Sequence, residues 1–188
     1  MEKSRCNPIV LGVRLTKDEK GDKINATMCK QLIGSLTYLT ATRPNLMHVV
    51  SLMSRFMASP TELHLQPTKR VLRYLKGTID LGILYRKRGN GELIAYTDSD
   101  HAGDIGDRKS TSGYVFLLND EGLSWSPKRQ PVVTLYTTEA EFVVAASCAC
   151  QGVWMRRVLE KLGHFYPRIQ SGMDVANTLM RGSISCAI

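Results

Sequence analysis

The sequence lacks several features that mark membrane, secreted and zinc-binding proteins. No apolar run reaches the length of a membrane helix, and the amino-terminal residues form no signal-peptide pattern. The five cysteines are odd in number and include no Cys-x-x-Cys pair, which argues against a disulfide framework and a zinc site. We therefore expect an intracellular protein, cytoplasmic or nuclear, with reduced thiols, no targeting signal and no membrane partner. The oligomeric state is left open.

The composition is that of an ordinary globular protein with a surplus of positive charge. Of the 188 residues, 43% are apolar and 22% are charged. Lys and Arg number 25 against 17 Asp and Glu, which gives a formal net charge of +8. Such a surplus suits a polyanionic partner, and nucleic acid is a better candidate than a membrane surface.

Apolar residues at helical spacing predict three helices in the first part of the chain. The first spans residues 25–42, with Met28, Leu32, Leu36 and Leu39 as its apolar stripe, and the second spans residues 45–58. The third ends at Gly77, and Thr61 can cap it. It contains Pro67, which predicts either a helix that starts at this proline or a kinked one. No strand pattern occurs in this part.

The second part changes to strand patterns followed by one long helix. Short strand-like runs occur at residues 81–85, 93–97, 115–118 and 123–125, and the turn residues 119–122 predict a hairpin between the last two. A helix is predicted from about Thr138 to Leu162. The order of strand, hairpin and helix indicates an α/β fold.

Acidic residues gather at the end of one strand and the start of the long helix. Asp98 and Asp100 are two residues apart, so a strand would place both on one face, where they repel unless a cation lies nearby. Glu139 and Glu141 follow in the first turn of the helix. We expect Glu139 to serve as an amino-terminal cap and Glu141 to point toward the sheet. Glu141 continues the predicted apolar stripe of Ala145, Cys148, Gly152, Met155, Leu159 and Leu162.

Four motifs in fixed order make a family resemblance specific. They are Tyr-x-Asp-x-Asp-x-Ala-Gly within 95–103, Arg-Lys-Ser-Thr-Ser-Gly-Tyr within 107–116, Ser-Trp-Ser-x-Lys-x-Gln within 123–134 and Thr-Thr-Glu-Ala-Glu-Phe within 135–142. The series resembles the ribonuclease H domain of copia-type retrotransposon Pol polyproteins, from about residue 6 to about residue 163. The resemblance implies that the chain is a remainder of such a polyprotein.

The resemblance implies both a fold and a reaction. The fold would be a ribonuclease H-like mixed sheet of five strands with a long packed helix, preceded by a small helical subdomain. Residues 1–90 would be the segment that connects the reverse transcriptase to the ribonuclease H, and residues 91–188 the ribonuclease H domain. The implied reaction is divalent-metal-dependent hydrolysis of the RNA strand of an RNA–DNA hybrid, with Mg²⁺, or Mn²⁺ as a substitute, as cofactor.

The resemblance also implies a set of site residues. Asp98, Glu141 and Asp174 would be the catalytic, metal-binding carboxylates, while Asp100 would tune the site or bond to the next loop. Loop and helix residues would contact the nucleic acid, although a merely solvated face explains the helical group equally well. These candidates are Arg108, Lys109, Ser110, Thr111, Ser112, Lys128 and Arg129 in the loops and Lys69, Arg73 and Lys76 on the third helix.

Departures from the family pattern leave an alternative open. The neighbours of Asp174 do not match, residues 165–188 are poorly related, and the family's fourth acidic position has no counterpart before Ile188. The domain is therefore expected to be truncated at its carboxyl end. A polymerase Tyr-x-Asp-Asp motif is absent from the sequence. The alternative is a degenerate, catalytically impaired Pol fragment that retains only non-specific nucleic-acid binding.

Overall fold

The computed structural model describes residues 7–8, 15–17, 20–85, 92–163 and 169–172. Its contacts divide the chain into two compact units, the first ending at Gly82 and the second beginning at Ile83. The boundary that the sequence predicts, between residues 90 and 91, falls a few residues later. No helix among the described residues is both long and apolar enough to cross a membrane.

The first unit is helical within its described residues. Helix α1 spans Ala26–Leu39, a 3-10 turn spans Pro44–Leu46, α2 spans Met47–Ser54 and α3 spans Glu62–Gly77. The Asn25 side chain caps α1 by accepting from the backbone N–H groups of Thr27 and Met28 at 2.9 and 3.1 Å. The three predicted helices are confirmed. The second is shorter than predicted, because its first residues form a 3-10 turn and because the α-helix ends at Ser54, where turns over residues 55–58 follow.

The core of the first unit uses the predicted stripe of α1 only in part: Leu36 is buried and Leu39 packs against the core. Cys29, Ile33 and Leu36 are buried, whereas Met28 is 43% exposed. Two adjacent apolar stripes run along this helix, and the sequence alone does not show which one meets α2 and α3. The other buried core residues are Leu46, Val49, Val50, Met53 and Val71.

Helix α3 begins before its proline. The Thr61 side chain and His64 form a reciprocal capping box, in which the Thr61 backbone N–H donates to Nδ1 of His64 at 3.0 Å. The His64 ring also stacks on Phe56, with a centroid distance of 4.4 Å. Pro67 lies inside α3, so the predicted start of the helix at this proline is wrong. The capping box stabilises an earlier start.

The second unit is a mixed four-stranded sheet with one long helix. Strands β1 (Leu93–Ser99), β2 (Thr111–Leu118), β3 (Glu121–Arg129) and β4 (Ile169–Gly172) lie in the order β3-β2-β1-β4. The β1–β2 and β2–β3 pairs are antiparallel, and β4 runs parallel to β1. Helix α4 spans Thr137–Lys161 and connects β3 to β4. The α/β class is confirmed, but residues 81–85 form no strand.

The hairpin between β2 and β3 turns through two residues. Asn119 and Asp120 have φ angles of 53° and 68°, the left-handed conformation that both central residues of a type I′ turn require. Asn and Asp tolerate this conformation better than other residues with a side chain. The predicted hairpin is therefore confirmed, with a tight turn of the kind that fits the twist of the strands.

One face of α4 packs on the sheet and forms the second core. Its buried residues are Ala140, Val144, Cys148, Gly152 and Met155. Of these, Cys148 and Met155 form one core cluster with Leu93, Ala95 and Phe116 of the sheet. Of the predicted stripe, Cys148, Gly152 and Met155 are buried, but Ala145 is exposed and Leu162 is 67% exposed. At the start of the helix the buried face is rotated by one residue, from Ala145 to Val144.

The hairpin turn gives a stability prediction. Asp120→Gly should raise the free energy of unfolding by up to about 1 kcal/mol, because glycine adopts the left-handed conformation without steric cost. Asp120→Val should lower it by about 1–2 kcal/mol, because a β-branched side chain clashes there. Urea unfolding followed by tryptophan fluorescence measures this unit, since both tryptophans belong to it. A stabilising valine would contradict the turn geometry.

The buried face of α4 gives a prediction about thiol reactivity. Burial raises the pKa of Cys148 to about 11, whereas Cys150 is exposed. At pH 8 only about a thousandth of Cys148 would be thiolate. Alkylation mapped by mass spectrometry should therefore label Cys150 at least about tenfold faster, with the Cys148 rate rising about tenfold per pH unit. In denaturing urea the two rates should converge, and equal rates in the native protein would contradict the packing of α4.

Candidate functional site

The carboxyl end of β1 carries the two aspartates of the first motif. Asp98 is half-buried and pairs with Gly113 across the β1–β2 ladder. Asp100 is exposed and exchanges hydrogen bonds with Thr111, donating its backbone N–H to the Thr111 carbonyl and accepting from the Thr111 N–H through its carboxylate. Of the two roles that the sequence leaves to Asp100, bonding to the next loop is the one that the structure shows.

The two glutamates of the fourth motif lie in the first turns of α4. Oε2 of Glu139 accepts from the Leu135 backbone N–H at 2.7 Å, so this side chain fastens the chain that enters the helix. Glu141 is exposed, and the prediction that it points toward the sheet is wrong. Its neighbour Ala140 and, one turn later, Val144 occupy the buried face instead. An exposed carboxylate at this position keeps its hydration and lies open to a ligand from solvent.

Gln130 joins the start of α4 to the ends of β1 and β2. Its side chain is 3% exposed, and Nε2 donates to the Ala140 carbonyl at 2.8 Å and to Oγ of Ser112 at 2.6 Å. A longer contact of 3.3 Å reaches Oγ of Ser99. Ser99 follows Asp98 in sequence, and Ala140 precedes Glu141. One amide group therefore ties together the two backbone segments that carry the candidate carboxylates.

The two candidate carboxylates approach the sheet end from different sides. Side chains alternate along a strand, so Asp98 lies on the face opposite Leu93 and Ala95, which pack on α4. Asp98 is the penultimate residue of β1. Because Glu141 belongs to α4, this placement does not by itself bring the two carboxylates together, and their convergence on one ion stays a prediction.

The donor set fits a hard divalent cation in chemistry, although it is small. Carboxylate oxygens suit Mg²⁺, which commonly takes one or two carboxylates and keeps several waters. Among the described residues no group of three or more His, Cys, Asp or Glu side chains could hold a metal ion. Asp174, the third predicted ligand, lies outside the described residues, two positions after β4 ends at Gly172. The three-carboxylate site stays a prediction.

The loop between β1 and β2 is held by internal contacts. Arg129 forms an ion pair with Asp107 at 2.7 Å and reaches Asp104 at 3.5 Å. Nζ of Lys109 donates to the Pro131 carbonyl at 2.7 Å. These two cations, predicted to contact nucleic acid, instead fasten the loop to the chain after β3. The two aspartates partly neutralise the charge of Arg129, and the ammonium group of Lys109 is already hydrogen-bonded within the protein.

The Ser and Thr residues at the end of this loop and the start of β2 also form internal hydrogen bonds. Ser110 is fully buried, with Oγ accepting from the Ala102 N–H at 3.2 Å and lying 3.2 Å from Oγ1 of Thr134. Ser112 bonds to Gln130, and Thr111 exchanges backbone bonds with Asp100. Direct phosphate contact by Ser110 is excluded by its burial, so the predicted role of this side chain in nucleic-acid binding is wrong.

Two of the predicted cations in the second unit, one in the β1–β2 loop and one in β3, remain open to solvent. Arg108 and Lys128 are exposed, and within the described part of the chain neither forms an ion pair. On α3, Lys69 pairs with Glu62 at 2.8 Å, which favours a solvated structural role for this lysine. Arg73 and Lys76 are exposed on the same helix. Of the cations predicted to contact nucleic acid in the second unit, Arg108 and Lys128 are therefore the exposed ones without an ion pair among the described residues.

Gln130 is the last residue of the third motif, Ser-Trp-Ser-x-Lys-x-Gln, but the motif does not indicate what this side chain does in the fold. Its structural role depends on contacts with residues up to 31 positions away, which no local sequence pattern reveals. Its Oε1 atom is buried and has no hydrogen-bond partner among the described residues. A buried acceptor without a donor costs about 1–3 kcal/mol. The buried Oε1 atom of Gln130 therefore lowers the stability of the fold.

Comparison with known proteins places the chain in a family. It is 43% identical over 137 residues to the retrovirus-related Pol polyprotein from transposon RE1 of Arabidopsis thaliana, covering 73% of this chain and 9% of the polyprotein. It is 38% identical over 173 residues to the Pol polyprotein from transposon TNT 1-94 of Nicotiana tabacum, covering 88% of this chain and 13% of the polyprotein. The chain thus belongs to the copia-type retrotransposon Pol polyproteins and spans about a tenth of the length of these relatives.

A shorter relative has a different name. Secreted RxLR effector protein 161 of Plasmopara viticola is 40% identical over 124 residues, which cover 65% of this chain and 87% of that protein. No protein-family model matches the chain, and no solved structure does.

Proposed function

We propose that the second unit is a ribonuclease H-type domain that hydrolyses the RNA strand of RNA–DNA hybrids with a divalent metal ion. The junction at Gln130 is the observation that carries this proposal, because it brings the strand end after Asp98 to the helix turn before Glu141. The strand order β3-β2-β1-β4, with β4 parallel to β1, supports a ribonuclease H-like sheet. The first unit would then be the segment that connects a reverse transcriptase to this domain.

The proposed chemistry assigns each side chain a limited task. Asp98 and Glu141 would hold Mg²⁺, or Mn²⁺ in its place, through carboxylate oxygens, and Asp174 is the proposed third ligand. When bound, such ions activate a water and neutralise the leaving oxygen of a phosphodiester. Asp100 maintains the loop that follows β1 through its bonds to Thr111.

The hybrid itself would be held by the exposed cations. Arg108 lies in the β1–β2 loop and Lys128 lies in β3. The Asp107–Arg129 ion pair joins these two segments. Contacts of Lys and Arg with phosphates are independent of sequence and weaken with salt. The net charge of +8 supports binding to the phosphate backbones of both the RNA and the DNA strand.

A second candidate is a Pol fragment that binds nucleic acid without cleaving it. The observation in its favour is that the described residues contain no group of three metal-binding side chains. Loss of one ligand from a two-metal site leaves the remaining ion to stabilise most of the transition-state charge. Under this alternative the exposed cations would still bind nucleic acid.

The catalytic assignment predicts a clean separation of cleavage from binding. Asp98→Asn should abolish Mg²⁺-dependent cleavage of an RNA–DNA hybrid, because the neutral amide no longer holds the cation, while hybrid affinity in EDTA stays unchanged. Asp120→Asn, the same chemical change in an exposed hairpin turn, is the matched control and should cleave like the parent. Cleavage is measured on a labelled hybrid and binding by fluorescence anisotropy.

The outcomes of that experiment separate the two candidates. Equal cleavage by Asp98→Asn and the parent would show that the acidic residues at the end of β1 are not the active site. Hybrid binding without cleavage by the parent would support the non-catalytic fragment. Cleavage that requires Mg²⁺ and Asp98 would exclude it.

The exposed cations predict the salt dependence of hybrid binding. Arg108→Gln combined with Lys128→Gln should lower the slope of log affinity against log salt by up to about 2, because about one counterion is released per phosphate contact. Lys20→Gln combined with Lys30→Gln changes the net charge equally at exposed positions of the first unit and should leave the slope near the parent value. Equal effects of the two double variants would show that only net charge matters.

A further inference from the structure

We propose that Gln130 is a positioning residue that sets the spacing between Asp98 and Glu141. This inference rests on the proposed metal-dependent function, and it assigns to that site a residue that touches neither the metal nor the substrate. The observation behind it is the set of three contacts made by Nε2 of Gln130.

The contacts connect the start of α4 to the ends of β1 and β2. Ser99 and Ser112 form the last pair of the β1–β2 ladder, and their Oγ atoms lie 3.3 Å apart. The Ala140 carbonyl belongs to the first turn of α4. The two N–H groups of Nε2 are directed at the Ala140 carbonyl and at Ser112, with Ser99 at a longer 3.3 Å, so the amide holds the helix start at a fixed distance from the strand ends. Asp98 precedes Ser99 and Glu141 follows Ala140, so the same contacts set the spacing between Asp98 and Glu141.

The position of Gln130 is itself fixed by the backbone. Its N–H donates to the Ser110 carbonyl at 2.8 Å directly after β3 ends. Because the backbone of Gln130 is held in this way, its side-chain amide fixes where the start of α4 lies relative to the sheet. A change in that amide would therefore move the helix start.

The rest of the junction does not need the glutamine. Without Nε2 the two serine hydroxyl groups still lie within reach of each other, and the Ala140 carbonyl still accepts its intrahelical bond from residue 144. Oε1 has no partner to lose among the described residues. A side chain of the same length without an amide would fill the same volume. Loss of the amide should therefore loosen the spacing of the site and leave the fold intact.

A neighbouring hydrogen bond supplies the matched control. Oγ1 of Thr134 lies 3.2 Å from Oγ of Ser110, in the same β3–α4 connection, and Thr134 is 4% exposed. Gln130→Met removes the bond to α4, whereas Thr134→Val removes a buried bond of the same connection that does not reach the Ala140 carbonyl. A general loss of stability would affect both variants.

The test compares metal affinity and local opening in the parent, Gln130→Met and Thr134→Val. Free Mn²⁺ measured by electron paramagnetic resonance should show a dissociation constant about tenfold higher for Gln130→Met, a typical effect of losing a group that orients a ligand. Amide hydrogen exchange measured by NMR without metal should be about tenfold faster in the first two turns of α4, with residues 150–160 unchanged. Thr134→Val should match the parent in both measurements.

Each outcome decides a different claim. Parent-like Mn²⁺ affinity in Gln130→Met, or equal changes in both variants, would overturn the positioning role. A parent chain that binds no Mn²⁺ would contradict the proposed function and, with it, the effect on the metal site. The metal-free exchange rates would in that case still decide whether Gln130 holds the helix start. Exchange in α4 that is unaffected by Gln130→Met would overturn the inference in every case.

Discussion

The candidate site depends on one buried polar junction. Parallel and antiparallel hydrogen bonds fix β1 within its sheet, and apolar contacts of Cys148 and Met155 hold the middle of α4 on that sheet. At the helix start Ala140 and Val144 are also buried, but apolar burial does not define the distance that the exposed Glu141 and Asp98 must keep to bind one ion. The Gln130 amide supplies this constraint. Directional hydrogen bonds specify a distance that apolar packing leaves loose.

Features encoded by adjacent residues could be predicted from the sequence. The hairpin turn follows from the left-handed tendency of Asn119 and Asp120, and the cap of α3 follows from Thr61. The strand that bears Asp98 was also evident from its apolar run. These elements depend on local conformational preference, which a single sequence expresses directly.

Features set by tertiary contacts could not be predicted. The predicted stripes of α1 and α4 were right only in part: Leu36 and Cys148 are buried, whereas Met28 and Ala145 are exposed. Both helices carry apolar residues on two adjacent faces, and the packing partner selects between them. The loop candidates Lys109, Ser110 and Arg129 suited phosphate binding by composition. Their internal bonds to Pro131, Thr134 and Asp107 became visible only in the folded chain.

The central claim is that Asp98 and Glu141 bind the same divalent ion, and a double-mutant cycle tests it most directly. Mn²⁺ dissociation constants would be measured by electron paramagnetic resonance for the parent, Asp98→Asn, Glu141→Gln and the double variant. If both carboxylates hold one ion, each single variant should weaken binding, and the double variant should lose less than the sum of the two free-energy changes. Strict additivity, or unchanged affinity in either single variant, would contradict a shared site.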